Sequence, residues 1–111
     1  MSELSKNEEI ILLSVWKLHD EAYGVKIKEH IKKEINKDWN YGTLYCTLDQ
    51  LVKKGMLFKK EGTPMPERGG RRKIYYHLSR LGQETLQAAQ VQHRTLWDGV
   101  PTLAFGKGKS A

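Results

Sequence analysis

The chain has little of what disulfide-bonded, membrane or metal-binding proteins are built from. It contains one cysteine, Cys46, which cannot form an intramolecular disulfide, and four histidines without the spacing of metal ligands. Its longest apolar cluster, residues 10–15, falls far short of the ~20 apolar residues that a membrane span needs. We therefore expect a soluble, cytoplasmic protein with no metal, no cofactor and no membrane partner.

Combinations of residues that enzymes use are also missing. A chain of 111 residues has room for one domain with a core of modest volume. The sequence has no glycine-rich phosphate loop and no recognisable pair of nucleophile and base. It predicts a binding protein without catalytic residues.

Positive charge is in excess, and it is concentrated in one segment. The net charge is +6, from 19 basic and 13 acidic residues. Residues 53–73 hold eight of the basic and two of the acidic residues, so this segment carries the whole excess. A surplus spread over the surface would only favour solubility, whereas a concentrated one favours a polyanionic partner.

The first half of the chain predicts two amphipathic helices. Ser5 and Glu8 have the spacing of a capping box, which indicates a first helix over residues 6–19. Its apolar positions cover a wide stripe, as expected for a helix that packs on more than one side. Isoleucines at four-residue spacing predict a second helix over residues 23–36.

A third helix is predicted between Asn40 and Gly55. The short side chain of Asn40 suits an N-cap, and Gly55 suits the left-handed residue that ends a helix. Leu44, Leu48 and Leu51 form one apolar face. The opposite face is therefore expected to be exposed.

The remaining pattern predicts a hairpin and a fourth helix. Residues 56–58 and 73–78 read as strands on either side of a segment rich in glycine, proline and arginine, the basic loop of residues 61–72. Ser79 is a suitable cap for a helix over residues 80–97, which is too polar to be a core helix of the same subunit.

The order helix, helix, helix, strand, loop, strand, helix is that of a winged helix-turn-helix. We expect an α+β fold that is mainly helical, with a DNA-binding domain at 1–78, a separate C-terminal helix at 79–98 and a flexible tail at 99–111. In this arrangement the third helix enters the major groove of double-stranded DNA, and the loop follows the backbone or a minor groove.

Two groups of residues are candidates for contact with DNA. Amides and hydroxyls at the start of the third helix suit phosphate oxygens and base edges, and arginines between glycines suit a narrow, negatively charged groove. The candidates are Asn40, Tyr41, Gly42, Thr43, Tyr45 and Gln50 on the helix, and Arg68, Arg71, Arg72 and Lys73 in and beside the basic loop. The alternatives are packing of the tyrosines at a helix edge and a solvated, charged loop tip.

Several motifs together resemble the PadR family of transcriptional regulators, over about residues 8–88. They are Tyr23-Gly24, Tyr41-Gly42-Thr43-Leu44-Tyr45, Gly55-Met56-Leu57, Gly70-Arg71-Arg72-Lys73-Ile74-Tyr75-Tyr76-His77-Leu78-Ser79 and Leu81-Gly82. The resemblance implies a homodimeric winged-helix repressor of the smaller subclass with one C-terminal helix. Two positions depart from the family pattern: Arg72 stands where many relatives have proline, and Trp39-Asn40 stands where small polar residues are usual.

The resemblance also gives the fourth helix a role in dimerisation. The candidate residues have near-heptad spacing and end with a tryptophan: Leu81, Thr85, Ala88, Ala89, Gln92, Leu96 and Trp97. In some similar regulators, aromatic residues at the dimer seam contact flat hydrophobic effectors, so Trp16 and Trp97 are candidates for a small-molecule effector site. The alternative for Trp97 is an anchor of the dimer interface.

Other functions remain compatible with the same residues. The principal alternative is a winged-helix module whose basic loop docks an acidic protein partner. RNA binding is disfavoured, because it usually requires aromatic residues on a sheet face. Cys46, near the start of the third helix, could be a redox sensor, or a small residue tolerated beside the core.

Overall fold

The computed structural model describes residues 4–62 and 73–101. These residues form four α-helices and a two-stranded antiparallel sheet, so the fold is α+β and mainly helical, as predicted. The elements are α1 (Lys6–Leu18), a 3-10 turn (His19–Glu21), α2 (Gly24–Ile35), α3 (Tyr41–Lys53), β1 (Leu57–Glu61), β2 (Ile74–Leu78) and α4 (Arg80–Trp97).

The predicted signals at the helix ends are confirmed. At α1 the Glu8 amide donates to Ser5 Oγ (3.1 Å) and the Ser5 amide donates to Glu8 Oε1 (2.9 Å), which completes the capping box. Ser79 Oγ accepts a hydrogen bond from the Gly82 amide at the start of α4. Gly55 adopts a left-handed φ of 78° directly after α3, where a side chain would be strained.

The first strand is longer than its apolar residues indicated. It was predicted over residues 56–58, but β1 continues to Glu61, which pairs with Ile74 of β2. Backbone pairing with β2 extends the strand through polar, exposed residues that no alternating pattern could reveal. Ala22 O also accepts from the Tyr76 amide (2.8 Å), which ties the segment before α2 to the hairpin.

A single apolar core joins α1, α2, α3 and the hairpin. Its buried members come from every one of these elements and the turns between them: Ile11, Leu12, Val15, Ala22, Ile27, Ile31, Leu44, Leu48, Leu51, Met56, Leu57 and Tyr76. Helix α1 contacts α2, α3, β2 and α4, as its wide apolar stripe predicted. Along β2, the alternate residues Ile74, Tyr76 and Leu78 pack toward this core.

The fourth helix belongs to this core only at its beginning. Gly82 and Thr85 are buried, and the Gly82 Cα lies so close to Met56 O that a methyl group there would overlap it. From residue 87 to residue 97 no side chain is buried. The prediction that α4 is not a core helix of the same subunit therefore fails only for its first two turns, because close backbone approach lets small residues bury part of a largely polar helix.

An ion pair links the start of α1 to the end of α3. Lys54 Nζ lies 2.6 Å from Glu8 Oε2, and the Glu8 side chain is only 5% exposed. Burial acts to raise the pKa of Glu8, but hydrogen bonds from Lys54 and from the Ser5 amide and hydroxyl outweigh it, so the pKa lies below its usual value. Lys54, one of the basic residues of the cationic segment, therefore stabilises the fold.

Replacing Glu8 with glutamine tests the contribution of this pair to stability. Because the folded-state pKa is lowered, the pair stabilises the fold above the unfolded-state pKa, and this contribution disappears as pH falls through the folded-state pKa. We expect Glu8→Gln to lower the free energy of unfolding at pH 7 by about 1–2 kcal/mol, measured by urea denaturation. The difference from wild type should shrink as pH is lowered below about 4.

The matched control is Glu9→Gln, since Glu9 is the neighbouring carboxylate and meets Lys6 only at 3.8 Å on the surface. It should change stability by less than about 0.5 kcal/mol. Equal losses for the two variants would show that the buried pair has no special role.

Candidate nucleic-acid interface

Helix α3 turns one face to the core and the other to solvent. Leu44, Leu48 and Leu51 are fully buried, together with Thr47, whose hydroxyl donates to Thr43 O (2.9 Å). The predicted DNA-facing residues of this helix are all exposed: Asn40, Tyr41, Gly42, Thr43, Tyr45 and Gln50. Cys46 is exposed beside them and has no disulfide partner.

The Asn40 side chain is occupied as the cap of α3. Its Oδ1 accepts a hydrogen bond from the Thr43 amide at 2.7 Å. This bond satisfies one of the amides at the positive end of the helix and leaves those of Tyr41 and Gly42 without an acceptor among the described residues. These amides and the Thr43 hydroxyl are the hydrogen-bond donors that the start of α3 offers to an anion.

Two tyrosines form a stacked pair on the exposed face. The rings of Tyr41 and Tyr45 have centroids 6.0 Å apart and an interplanar angle of 22°. Lys28 Nζ from α2 lies 5.4 Å from the centre of the Tyr41 ring and 2.8 Å from Asp38 Oδ1. The hydrogen bond and charge of Lys28 lower the pKa of Asp38, so the pair stays ionised at neutral pH.

Lys28 and Asp38 were not predicted as members of the site, because their pairing depends on Lys28, which is ten residues from Asp38 along the chain. The only sequence signal is a lysine on the polar side of α2. In the folded protein this lysine holds the Asn40-Tyr41 end of α3 against α2 through the ring of Tyr41.

The phenol of Tyr45 lies over the first residue of α2. A Cβ atom on Gly24 would overlap the Tyr45 hydroxyl and lie 2.7 Å from Cζ, closer than such atoms approach. Glycine at this position therefore lets the two helices meet through the tyrosine ring. The hydroxyl of Tyr45 therefore lies beside the start of α2, while the side chain as a whole remains 41% exposed.

The base of the basic loop is fixed beside the start of α2. Lys73 Nζ lies 4.2 Å from the centre of the Tyr23 ring, and that ring meets Tyr75 edge-on at 5.5 Å. Lys73 thus joins the candidate residues of α3 on one side of the molecule. Arg68, Arg71 and Arg72 lie outside the described residues.

The candidate dimerisation residues differ in exposure. Thr85 is 3% exposed and donates to Leu81 O (2.7 Å), so it is buried within its own chain and is not available to a second one. The other candidates are exposed or half-buried: Leu81, Ala88, Ala89, Gln92, Leu96 and Trp97. Leu96 is the most exposed large apolar residue of the described chain, at 72%.

The two candidate effector residues do not share a site within one chain. Trp16 lines a groove of about 630 Å³ between α1 and α4, together with Leu13, Leu86 and His93. Trp97 does not line this groove, and its ring lies 6.0 Å from that of His93 at the groove's end. Both tryptophans are about half exposed.

The described residues give no sign of a metal site or a membrane-spanning element. No group of three or more histidine, cysteine, aspartate or glutamate side chains among them could hold a metal ion. Within the same residues, no helix combines the length and apolarity that crossing a bilayer demands.

The three helices, the hairpin and the exposed face of α3 define a winged-helix domain. Within this class, the chain belongs to the PadR-like family of transcriptional regulators, whose sequence pattern matches residues 12–88. It is thus a DNA-binding regulator by family. A search of proteins with curated functions gave no match.

Solved structures with the same fold include other members of this family. A PadR-like transcription factor from Bacteroides fragilis is 27% identical, with a TM-score of 0.70 over 85% of each chain. A PadR family transcription regulator from Clostridium difficile R20291 is 24% identical, with a TM-score of 0.66 over 80% of this chain and 88% of that one. The winged-helix DNA-binding protein F93 from STIV is 18% identical, with a TM-score of 0.69 over 88% and 98%.

The close contact between α2 and α3 can be tested with Gly24→Ala. The added methyl group overlaps the hydroxyl end of the Tyr45 side chain, which is 41% exposed and can turn away, so we expect the free energy of unfolding to fall by no more than about 1 kcal/mol. Because Tyr45→Ala removes that ring, the double variant should recover most of the loss. Thermal and urea denaturation of the wild type, both single variants and the double variant measure this coupling. Additive effects would show that the ring and the glycine do not constrain one another.

Proposed function

We propose that the protein is a homodimeric repressor that binds a pseudo-palindromic DNA operator through α3 and the basic loop. The observation that carries this proposal is the exposed face of α3, where polar and aromatic residues and two unpartnered amides stand opposite the buried leucines. Of the surfaces of the described chain, this one fits the major groove best, since it belongs to the third helix of a winged-helix domain.

The proposed contacts fall into two groups. Tyr41, Gly42 and Thr43 approach the phosphate backbone at the start of α3, while Gln50, a turn or two later, faces the base edges. The arginines of the basic loop contact phosphates of the DNA backbone or of a neighbouring minor groove. Lys73 fixes where the loop leaves the domain, since it is held on the Tyr23 ring.

The second half of α4 is the proposed dimerisation surface. Val91, Leu96 and Trp97 are each about half exposed or more, so this part of the helix has apolar side chains that the subunit itself does not cover. Two copies related by a two-fold axis would place their α3 helices about one turn of DNA apart, ~34 Å.

We propose Trp97 primarily as an anchor of this interface. An effector site that includes both Trp16 and Trp97 would have to form between two chains, because the groove that Trp16 lines does not include Trp97 of the same chain. Binding of a flat hydrophobic molecule there would link ligand occupancy to the spacing of the two α3 helices.

A titration against mixed-sequence duplex DNA at two salt concentrations tests the DNA-binding part of the proposal. We expect micromolar affinity that falls steeply between 50 and 200 mM salt, because contacts with phosphates release counterions. Arg71→Ala should weaken binding. It should also reduce by about one the slope of log affinity against log salt concentration, which reports the number of counterions released. Tight, salt-insensitive binding to an acidic protein, without affinity for DNA, would favour a protein-docking module instead.

Leu96→Arg tests the proposed dimer. A charged side chain on an apolar interface leaves an unpaired buried charge, so we expect the mass in solution to fall from two chains toward one at micromolar concentration. The control is Ile35→Arg, which places the same side chain at another exposed apolar position, at the end of α2. Light scattering measures the mass in solution of both variants. A wild-type monomer, or a dimer that Leu96→Arg leaves intact, would contradict the proposed surface.

A further inference from the structure

A polar groove lies where α2, α3 and the hairpin meet. It has a volume of about 470 Å³ and is lined by Tyr23, Gly24, Val25, Tyr45, Lys59, Glu61, Lys73, Ile74 and Tyr76. We call it the α2 groove, because the first turn of α2 forms one of its walls. It opens beside the exposed face of α3, with which it shares Tyr45.

The first turn of α2 presents donors without acceptors. Its cap residue is Tyr23, whose side chain makes no capping hydrogen bond, and the first turn has no acidic residue. The amides of Gly24, Val25 and Lys26 therefore have no acceptor within the described residues. The other three α-helices of the described chain each have a capping side chain that accepts from the first turn.

A second, independent observation is the phenol of Tyr76. This side chain is 3% exposed and lines the groove, yet its hydroxyl has no hydrogen-bond partner among residues 4–62 and 73–101. A buried polar group without a partner is uncommon and destabilises a fold, so a ligand or an ordered water is expected to satisfy it. Burial, with the nearby Asp49 carboxylate and Tyr45 phenol, raises the pKa of Tyr76 to about 12, which keeps the hydroxyl protonated and able to donate.

The remaining polar groups also favour an anion. Lys59 and Lys73 line the groove as cations, and Glu61 is its single carboxylate among the described residues. Lys59 Nζ is 3.9 Å from Asp49 Oδ1, a loose pairing that leaves its charge available to the groove. The groove thus offers several hydrogen-bond donors: amides at a helix start, two phenol hydroxyls and two lysines. This set matches the several oxygens of a phosphate group.

We propose that the α2 groove binds one phosphate group, held by the first-turn amides of α2 and the hydroxyls of Tyr45 and Tyr76. In the complex with DNA this group is a phosphodiester of the backbone, because the groove adjoins the exposed face of α3 and the base of the basic loop. That the phosphate belongs to DNA rests on the proposed function. That the groove binds a phosphate group does not. Tyr76 thereby becomes a binding residue that is hidden inside the hairpin.

The direct test is Tyr76→Phe, which removes the hydroxyl and keeps the ring in the core. We expect affinity for mixed-sequence duplex DNA to fall about fivefold or more, as for loss of one hydrogen bond to a charged group. The dependence on salt should not change, because no charge is removed. The melting temperature of the free protein should stay the same or rise, since the lost hydroxyl had no partner.

The matched control is Tyr75→Phe. Tyr75 is the adjacent residue on the same strand, packs on the Tyr23 ring and does not line the groove. Its affinity for DNA should equal that of the wild type. If the wild type binds DNA and Tyr76→Phe binds as tightly, the groove does not take a backbone phosphate and the inference fails while the proposed function stands.

A second measurement does not depend on DNA. Inorganic phosphate is titrated into the wild type at constant ionic strength, with chloride as the reference, and the amide signals of Gly24, Val25 and Lys26 are followed by NMR. Saturable shifts that Tyr76→Phe abolishes would support a phosphate site, even if the wild type fails to bind DNA, in which case the source is a free phosphate. Shifts equal to those in chloride would show that the groove holds no phosphate and would overturn the inference.

Discussion

The burial of three leucines of α3 is the constraint on which the rest of the site depends. Leu44, Leu48 and Leu51 are fully buried, and each such side chain contributes about 1.5–3 kcal/mol to folding. With that face held in the core, the helix has no freedom to rotate about its axis. The opposite face must stay in solvent, so the core determines which residues of α3 are offered to a partner.

The position of α3 along its axis depends on smaller contacts with α2. The tyrosines of its exposed face do not simply project outward: Tyr41 lies under Lys28, and Tyr45 lies on Gly24. These contacts use the same side chains that a DNA-binding surface needs. A change at either tyrosine would therefore affect both a contact with α2 and the surface proposed to meet DNA.

The domain and the fourth helix are less separate than the order of elements indicates. Thr85 and Gly82 belong to the core of the same chain, while Leu96 and Trp97 lie beyond it. One helix thus joins the DNA-binding domain rigidly to the proposed dimer interface. In the proposed dimer the two α3 helices would therefore have little flexibility relative to one another, since α4 contacts α1 and the hairpin at its base.

The sequence by itself determined the helices, their caps, the buried face of α3 and the family, because these depend on local hydrogen bonds and on apolar spacing along one element. It placed the start of the fourth helix at Arg80 and its end at Trp97. It missed the polar end of β1, the ion pair of Glu8 with Lys54, and the contact of Tyr45 with Gly24. Only the tertiary structure decided these, because each joins residues that are distant along the chain or extends an element by pairing with another strand. Whether a tyrosine faces DNA or a helix is settled by which element packs beside it, and no spacing within its own helix contains that information.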